Sequence, residues 1–214
     1  MRVALISDSH GNAVGLRAAL EDIERRGADL VVALGDMAQG GPQPTECLEL
    51  LRDMDARVVL GNSDAFLLDA DAGAEITTER QLTQRDWSLS QLTPTDVDYM
   101  RSFEATVEVD LDGLRLLCFH AVPADYDSVV LPEDPPDAFT GTGADVLAGG
   151  HVHVQQLRRV GGAWYVNPGK CRDRLRPSPA RRRLHVRSLG LVRDRRSGFG
   201  RVPPRCVRDR KSVV

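Results

Sequence analysis

The sequence predicts an α/β fold in which parallel strands alternate with helical crossovers and a second β-rich half follows, the helices lying outside. Three observations predict it. Apolar, β-branched runs at Val3–Ile6, Leu30–Leu34 and Arg57–Leu60 each end abruptly in polar or glycine residues. Helical periodicity fills the intervals between them, the pattern of strands joined by crossover helices. Downstream, two pairs of short apolar runs are joined through Asp112-Gly113 and Gly161-Gly162, which is the turn chemistry of hairpins.

Taken in order, Val3-Ala4-Leu5-Ile6 is short and apolar enough for a buried strand, and Asp8-Ser9-His10-Gly11-Asn12 follows it. From Ala13 to Arg26 an amphipathic helix is expected, with Leu16, Leu20 and Ile23 on one face, Asn12 as its N-cap and Gly27 ending it. The strand Leu30–Leu34 runs into Gly35-Asp36. Glycines and prolines at 40–44 make a loop, after which Thr45 is expected to cap a helix reaching about Asp53. The strand Arg57–Leu60 runs into Gly61-Asn62-Ser63-Asp64.

Residues 65–102 read as helical, with Thr93 as an N-cap and Pro94 at a first helical position. The aromatics of this region, Phe66, Trp87, Tyr99 and Phe103, are expected in the core. Thr106–Val109 and Leu114–Phe119 form the first hairpin, whose second strand ends at His120. A loop rich in Pro and Asp spans 122–136. Asp145–Ala148 is a short strand ending in Gly149-Gly150-His151-Val152-His153. Gln156–Val160 and Ala163–Val166 form the second hairpin, closed by Asn167-Pro168-Gly169.

A chain of 214 residues suffices for one ordinary domain with a real core. No apolar run approaches the roughly 18 residues of a membrane span, and the chain enters a strand without a signal-peptide pattern. A cytoplasmic protein with no membrane partner is therefore expected. The four cysteines, Cys47, Cys118, Cys171 and Cys206, lack the spacing of a thiolate zinc site or a disulfide framework and are expected as free thiols. The net charge of -3 conceals an asymmetry. Residues 1–169 carry 12 Arg and no Lys against 28 acids; residues 170–214 carry 14 Arg and 2 Lys against 3 acids. The expected division is a domain over 1–169 and an Arg-rich tail over 170–214.

The polar strand ends collect Asp8, His10, Asp36, Asn62, His120, His151 and His153, including four of the chain's five histidines. One histidine at a strand end is most often a hydrogen-bonded structural residue. Seven oxygen and nitrogen donors at five strand ends form a ligand set, because the carboxyl edge of such sheets is where ligands bind. Carboxylate, amide and imidazole without thiolate suit Mn²⁺, Fe or Zn²⁺. Seven ligands exceed one tetrahedral ion and fit two ions sharing a carboxylate.

Asp8-x-His10, Gly35-Asp36, Gly61-Asn62, His120 and Gly150-His151-x-His153, in that order, resemble the five motif blocks of the calcineurin-like metallophosphoesterases. The resemblance covers about residues 2–169 and is closest to the small prokaryotic phosphodiesterase branch. It implies a four-layer αββα sandwich of two mixed sheets flanked by helices. It also implies two divalent ions, Mn²⁺ first, with Fe, Zn²⁺ or Ni²⁺ as alternatives. By motif position, Asp8, His10, Asp36 and His153 would hold the first ion, and Asp36, Asn62, His120 and His151 the second, with Asp36 bridging. Such a pair, about 3.5–4 Å apart, can hold a hydroxide for in-line attack on a small phosphate ester. Asp36, Asn62 and His120 are the implied catalytic residues.

Departures from the pattern shape the reading. Ser63 stands where many relatives carry a histidine that protonates the leaving group. The Asp36-Met37-Ala38-Gln39-Gly40 run lacks the arginine of protein Ser/Thr phosphatases, and 214 residues leave no room for the extra segments of the DNA-repair nucleases. His120 leads into Ala121-Val122-Pro123 where the branch usually has His-Gly-x-Pro. After Asn167-Pro168-Gly169 the branch continues with a further strand, whereas here an Arg-rich stretch begins. With few aromatics for base stacking, that stretch is read as disordered or aberrant in preference to a nucleic-acid arm. The leading expectation is a binuclear phosphoesterase acting on phosphodiesters or monoesters. The alternatives are a binding scaffold on the same fold, as in the retromer subunit that resembles this branch, and a nucleic-acid-associated phosphoesterase using the basic tail. Pattern alone does not separate an interface stripe from core, so oligomeric state is left open.

Overall fold

The computed structural model describes residues 1–72 and 78–171, and the backbone of 189–190. Along the chain run β1 (Val3–Ile6), α1 (Ala13–Arg26), β2 (Leu30–Ala33), α2 (Pro44–Asp53), β3 (Arg57–Val58), α3 (Asn62–Leu68), α4 (Glu79–Gln91) and α5 (Pro94–Arg101). The second half holds β4 (Val107–Asp110), β5 (Arg115–Cys118), β6 (Val146–Ala148), β7 (Gln156–Val160), β8 (Ala163–Asn167) and β9 (Leu189–Gly190). The first sheet has the order β3-β2-β1-β9 and the second β4-β5-β6-β8-β7. Both are mixed. β1, β2 and β3 are mutually parallel, with β9 antiparallel on β1. In the second sheet β5, β6 and β8 are parallel, and β4 and β7 are antiparallel edges.

Side chains on a strand alternate between faces, so a strand buried on both sides reads as continuously apolar. In β1, Val3 and Leu5 point between the sheets, joining Val32, Leu34, Val107, Leu116, Cys118, Val146 and Val166. Ala4 and Ile6 point the other way, onto Leu16, Leu20 and Ile23 of α1, Leu48 and Leu51 of α2, and Met100 of α5. The outer face of the second sheet packs Leu117, Leu147 and Tyr165 against Phe139. Phe139 sits in a single 3₁₀ turn, Asp137–Phe139. Among the described residues, the α-helices lie over the first sheet and the loop that follows His120 covers the second.

Local chemistry sets most boundaries as expected. Asn12 Oδ1 accepts from Gly15 N at 2.9 Å, and Gly27 N donates to Ile23 O at 3.0 Å, so both ends of α1 are satisfied. Thr93 caps α5, with Asp96 returning the bond to Thr93 N at 2.9 Å. Asp112 and Gly113 both have positive φ, 55° and 90°, the two-residue hairpin turn whose backbone twist matches the flanking strands.

Three expectations shift. Thr45 does not cap α2, because Pro44 already occupies the first turn; its hydroxyl donates to Gln91 O at 2.8 Å and ties α2 to α4. The third strand keeps only two residues beside β2; beyond it Val59 bridges Glu104 and Leu60 N donates to Glu104 O at 2.8 Å. Trp87 is not core: it stands 43% exposed on α4, whereas Phe66 and Phe103 are buried. In the tail, Leu189–Gly190 pair with β1; the expectation for the rest of 172–214 lies outside the described residues, as does Cys206. Cys47, Cys118 and Cys171 are free and buried. No helix among the described residues is long and apolar enough to cross a membrane.

Candidate metal centre

The parallel strands of the two sheets present their carboxyl ends on one edge, and the turns leaving them carry the polar residues. These turns are conformationally demanding. Asp8, His10, Asp36, His151 and His153 all adopt positive φ, between 47° and 67°. Such backbone is costly for residues other than glycine and persists where the surroundings enforce it. Neighbouring backbone supplies that enforcement: Asp8 N, His10 N and Gly11 N donate to the carbonyls of Gly35, Asp36 and Met37 at 3.1, 2.9 and 2.9 Å. The turns after β1 and β2 are therefore laced together.

All seven residues singled out in the sequence lie on this edge, in two groups. Asp8, His10 and His153 place one ligand atom each within 4.8 Å of one another, and so do Asp36, His120 and His151. In the first group, His10 Nε2 lies 3.0 Å from His153 Nε2, and His153 Nε2 lies 3.3 Å from Asp8 Oδ1. In the second, Asn62 Oδ1 lies 3.1 Å from His120 Nε2 and 3.2 Å from His151 Nδ1. Asp36 faces both groups, with Oδ2 3.5 Å from His10 Nε2 and Oδ1 3.4 Å from His120 Nε2.

Partners behind these groups set which atoms face forward. His10 Nδ1 bonds Gln39 O at 2.9 Å and His120 Nδ1 bonds Leu34 O at 2.6 Å. A ring nitrogen that donates to a carbonyl leaves Nε2 as the lone-pair atom, the arrangement typical of ligating imidazoles. Ser7 Oγ donates to Asp8 Oδ2 at 2.5 Å, while Asp8 Oδ1, fully buried, has no hydrogen-bond partner. A buried carboxylate oxygen left bare among imidazole nitrogens fits a cation and is otherwise expensive. The donor set, hard oxygens and neutral nitrogens without sulfur, suits a divalent first-row ion.

The electrostatics agree for His10 and His151. Burial lowers the His10 pKa against the raising effect of Asp36, and burial together with His120 lowers that of His151. Both imidazoles are thereby kept neutral, the form that ligates. Burial opposes charge on His120 too, but Asp36 outweighs it and pushes His120 up to about 9. Burial would raise Asp36, yet His120, His10 and the Ser63 N–H hold it well below the usual carboxylate range.

Asp64 is the residue the sequence reading passed over. Fully buried, its carboxylate accepts the backbone N–H of Asp36 at 2.7 Å, Met37 at 3.0 Å and Ala38 at 3.3 Å, as well as capping the start of α3. Burial and the charge of Asp36 push its carboxyl up to about 7. The signal was available, since an acid three residues past Gly61 is the second half of a capping box. Ser63 is likewise committed: its N–H and hydroxyl donate to Asp36 Oδ1 and Oδ2 at 2.9 and 2.8 Å. Gly61 is required by closeness, because a Cβ there would stand 2.2 Å from Asp36 Oδ1.

The model of the calcineurin-like phosphoesterase superfamily domain matches residues 1–187. The chain belongs to that superfamily. Among curated proteins, it is 27% identical over 170 residues to an uncharacterized protein of Methanocaldococcus jannaschii, covering 78% of this chain and 69% of the relative. Two crystal structures share the fold. A metallophosphoesterase from Sphaerobacter thermophilus aligns with TM-score 0.60 and 24% identity, over 80% of this chain and 76% of that one. A hypothetical protein from Pyrococcus horikoshii OT3 aligns with TM-score 0.70 and 17% identity, over 79% and 77%. This is the metallophosphoesterase fold, two mixed sheets with flanking helices, which among the described residues lie over the first sheet. The superfamily match runs past Gly169, to residue 187, beyond the domain boundary expected from charge.

Proposed function

We propose that this phosphoesterase-family chain hydrolyses small phosphodiesters, and monoesters less well, at a centre of two divalent ions, Mn²⁺ first among them. Asp8, His10, Asp36 and His153 would hold one ion and Asp36, Asn62, His120 and His151 the other. The observation that carries the reading is Asp36, whose two carboxylate oxygens face different histidine groups at 3.5 and 3.4 Å. That is the disposition of a bridging ligand.

Bound divalent ions supply an activated water near neutral pH and neutralise phosphoryl oxygens. The chain's own residues do the rest. Asp8 and Asp36 bring negative charge from buried positions, and Asn62 contributes an oxygen without charge, which limits repulsion of an anionic ester. Gln39 O and Leu34 O fix the ring orientations of His10 and His120. Positioning of this kind provides most of the rate in phosphoryl transfer. Ser63 braces Asp36 through both of its donors and is not disposed to protonate a leaving group. An ester with a good leaving group is therefore the better substrate.

The test compares bis-p-nitrophenyl phosphate with p-nitrophenyl phosphate, with and without Mn²⁺, for the native chain, Asp36→Ala and His120→Ala. Metal-dependent turnover that favours the diester and is lost in both variants supports the reading. A folded, metal-loaded chain that turns over neither ester refutes it and leaves the scaffold alternative.

A further inference from the structure

The stretch expected from its charge to be a tail begins inside the fold. Cys171 is buried with the residues between the first sheet and its helices, and its N–H donates to Ser7 O at 3.3 Å. Just upstream, Gln155 Nε2 donates to Pro168 O at 3.0 Å, Gly169 N donates to Asn167 Oδ1 at 2.8 Å, and Asn167 Nδ2 donates to Gly150 O at 2.6 Å. Gly169 takes a φ of 71°, and a Cβ on it would stand 2.9 Å from Gln155 Cγ, so this turn presses closely on the segment after His153. Ser7 precedes Asp8, and Gly150 precedes His151. Lys170 is therefore held, by bonds on both sides of it, between the turn that carries Asp8 and the turn that carries His151 and His153.

Lys170 is exposed and makes no ion pair among the described residues. Its charge nevertheless reaches the first ligand group. Burial is what chiefly lowers the His10 pKa; among charges, Asp36 raises it, and Lys170 lowers it by more than Asp8 raises it, although Asp8 Oδ1 is 3.9 Å from His10 Nε2. The opposite rim carries the other sign. Two residues past His120, Val122 and Asp125 exchange backbone hydrogen bonds at 2.9 and 3.1 Å, a tight turn that presents the exposed carboxylates of Asp125 and Asp127 on the His151 side. Bonds from Ser128 and from the Asp127 N–H, together with the charge of His151, hold Asp125 below its ordinary value. After burial, His120, Asp36 and Asp8, the charge of Asp127 also acts on His151. The edge is thus polarised, positive beyond His10 and negative beyond His151.

A lysine ammonium is a compact point charge with three donors. Being exposed, this one stands at the mouth of the site, where it meets the part of a substrate that projects from the centre. Divalent ions on the ligand set would repel an ammonium so placed, and an anion at the mouth offsets that repulsion. The Asp125 and Asp127 carboxylates make the other rim unfavourable to the same anion. We propose that Lys170 is a substrate-binding cation for a second phosphate carried by the diester, so that the substrate class is a phosphodiester bearing a further phosphate, which lies toward His10 and away from His151. This rests on the phosphoesterase reading and adds the class of substrate and its orientation.

The test uses two esters that share p-nitrophenol as leaving group, thymidine 5′-(p-nitrophenyl phosphate) and the same ester with a 3′-phosphate, with the Mn²⁺-loaded full chain at equal free Mn²⁺. Release of p-nitrophenol is expected to show a KM about threefold lower for the 3′-phosphate ester, the size of one exposed charge pair. High salt shrinks that ratio towards one. Lys170→Met raises the KM of the 3′-phosphate ester to that of its parent, and Lys170→Arg, which keeps the charge, keeps the ratio. A native ratio of one, or a ratio in Lys170→Met identical to the native one, overturns the subsite while leaving the phosphoesterase reading intact. A second arm does not depend on turnover. Calorimetric titration of the Mn²⁺-loaded chain should find thymidine 3′,5′-bisphosphate bound about threefold more tightly than thymidine 5′-monophosphate, a difference absent in Lys170→Met. Hydrolysis of neither ester, with that difference present and lost in Lys170→Met, refutes the enzyme reading and sustains the subsite. Equal binding of the two nucleotides refutes the subsite, as does a preference for the bisphosphate that Lys170→Met retains.

Discussion

The buried carboxylate of Asp64 holds Asp36 from behind, accepting the Asp36 backbone N–H at 2.7 Å. One acid thus shapes the turn that aims the other acid at both histidine groups. Asp64 shapes the turn through the backbone of residues 36–38, and its own carboxyl feels the charge of Asp36.

Replacing Asp64 with Asn keeps the shape but turns an amide NH₂ toward backbone donors. A buried donor left unsatisfied costs about 1–3 kcal/mol. The expected result is a lower denaturant midpoint and metal affinity weakened about 10–100-fold, as for other residues that orient ligands. Chelator competition measures the second effect, and native-like affinity in Asp64→Asn would show that the turn holds its shape unaided.

Asp36→Asn removes the charge shared by the two groups, whereas Asp8→Asn touches only one. Elemental analysis of Mn²⁺-reconstituted protein should find a substantially larger loss for Asp36→Asn than for Asp8→Asn. Equal losses would count against the proposed bridging role of Asp36.

At Gly61 even a methyl group is too much, since a Cβ would fall 2.2 Å from Asp36 Oδ1 and 2.4 Å from Asp36 N. Gly61→Ala must displace Asp36 or α3. It should lower the melting temperature and reduce metal content together, and native values for both would contradict the close approach.

The cap of α5 predicts a pH dependence. Burial would raise the pKa of Asp96, but hydrogen bonds from Thr93 and the neighbouring Arg52 outweigh it and lower the value from 3.8. A carboxyl depressed by folding stabilises the fold above its unfolded pKa, and that stability is lost as pH falls through the folded value. Asp96→Asn should therefore melt below the native chain at about pH 7, with the gap closing as pH falls through the depressed folded value. A gap that persists in acid would mean that the charge is not what matters.

Burial pushes the thiols of Cys47, Cys118 and Cys171 up to about 12. Only thiolate reacts readily. A thiol reagent at neutral pH should leave these three unmodified in the folded chain and label them after denaturation, as followed by peptide mass.

Much of the fold was legible because its signals are local. The apolar run Val3–Ile6, the Asn12 cap, the Thr93-Pro94 start and the Asp112-Gly113 turn each carry their cause within a few residues. The seven candidate ligands were legible for a related reason: each ends an apolar run, and the carboxyl ends of parallel strands meet on one edge. Misreadings fell where distant partners decide. Trp87 looks like core by composition, but α4 packs through Ser88 and Arg85 and leaves the indole outside. Thr45 looks like a cap, but Gln91 in another helix takes its hydroxyl.

By itself the sequence determined the α/β class, the order of strands and crossovers, the hairpins and the identity of the donor residues, since periodicity, capping and turn preference act between near neighbours. Only the tertiary structure decided that Asp36 turns one oxygen to each histidine group, that Asp64 braces it, that Ser63 is occupied with it, and that Trp87 stands exposed on α4. Those relationships join residues 26 to 84 positions apart along the chain. Their geometry depends on how two sheets and five helices pack, which local pattern does not encode.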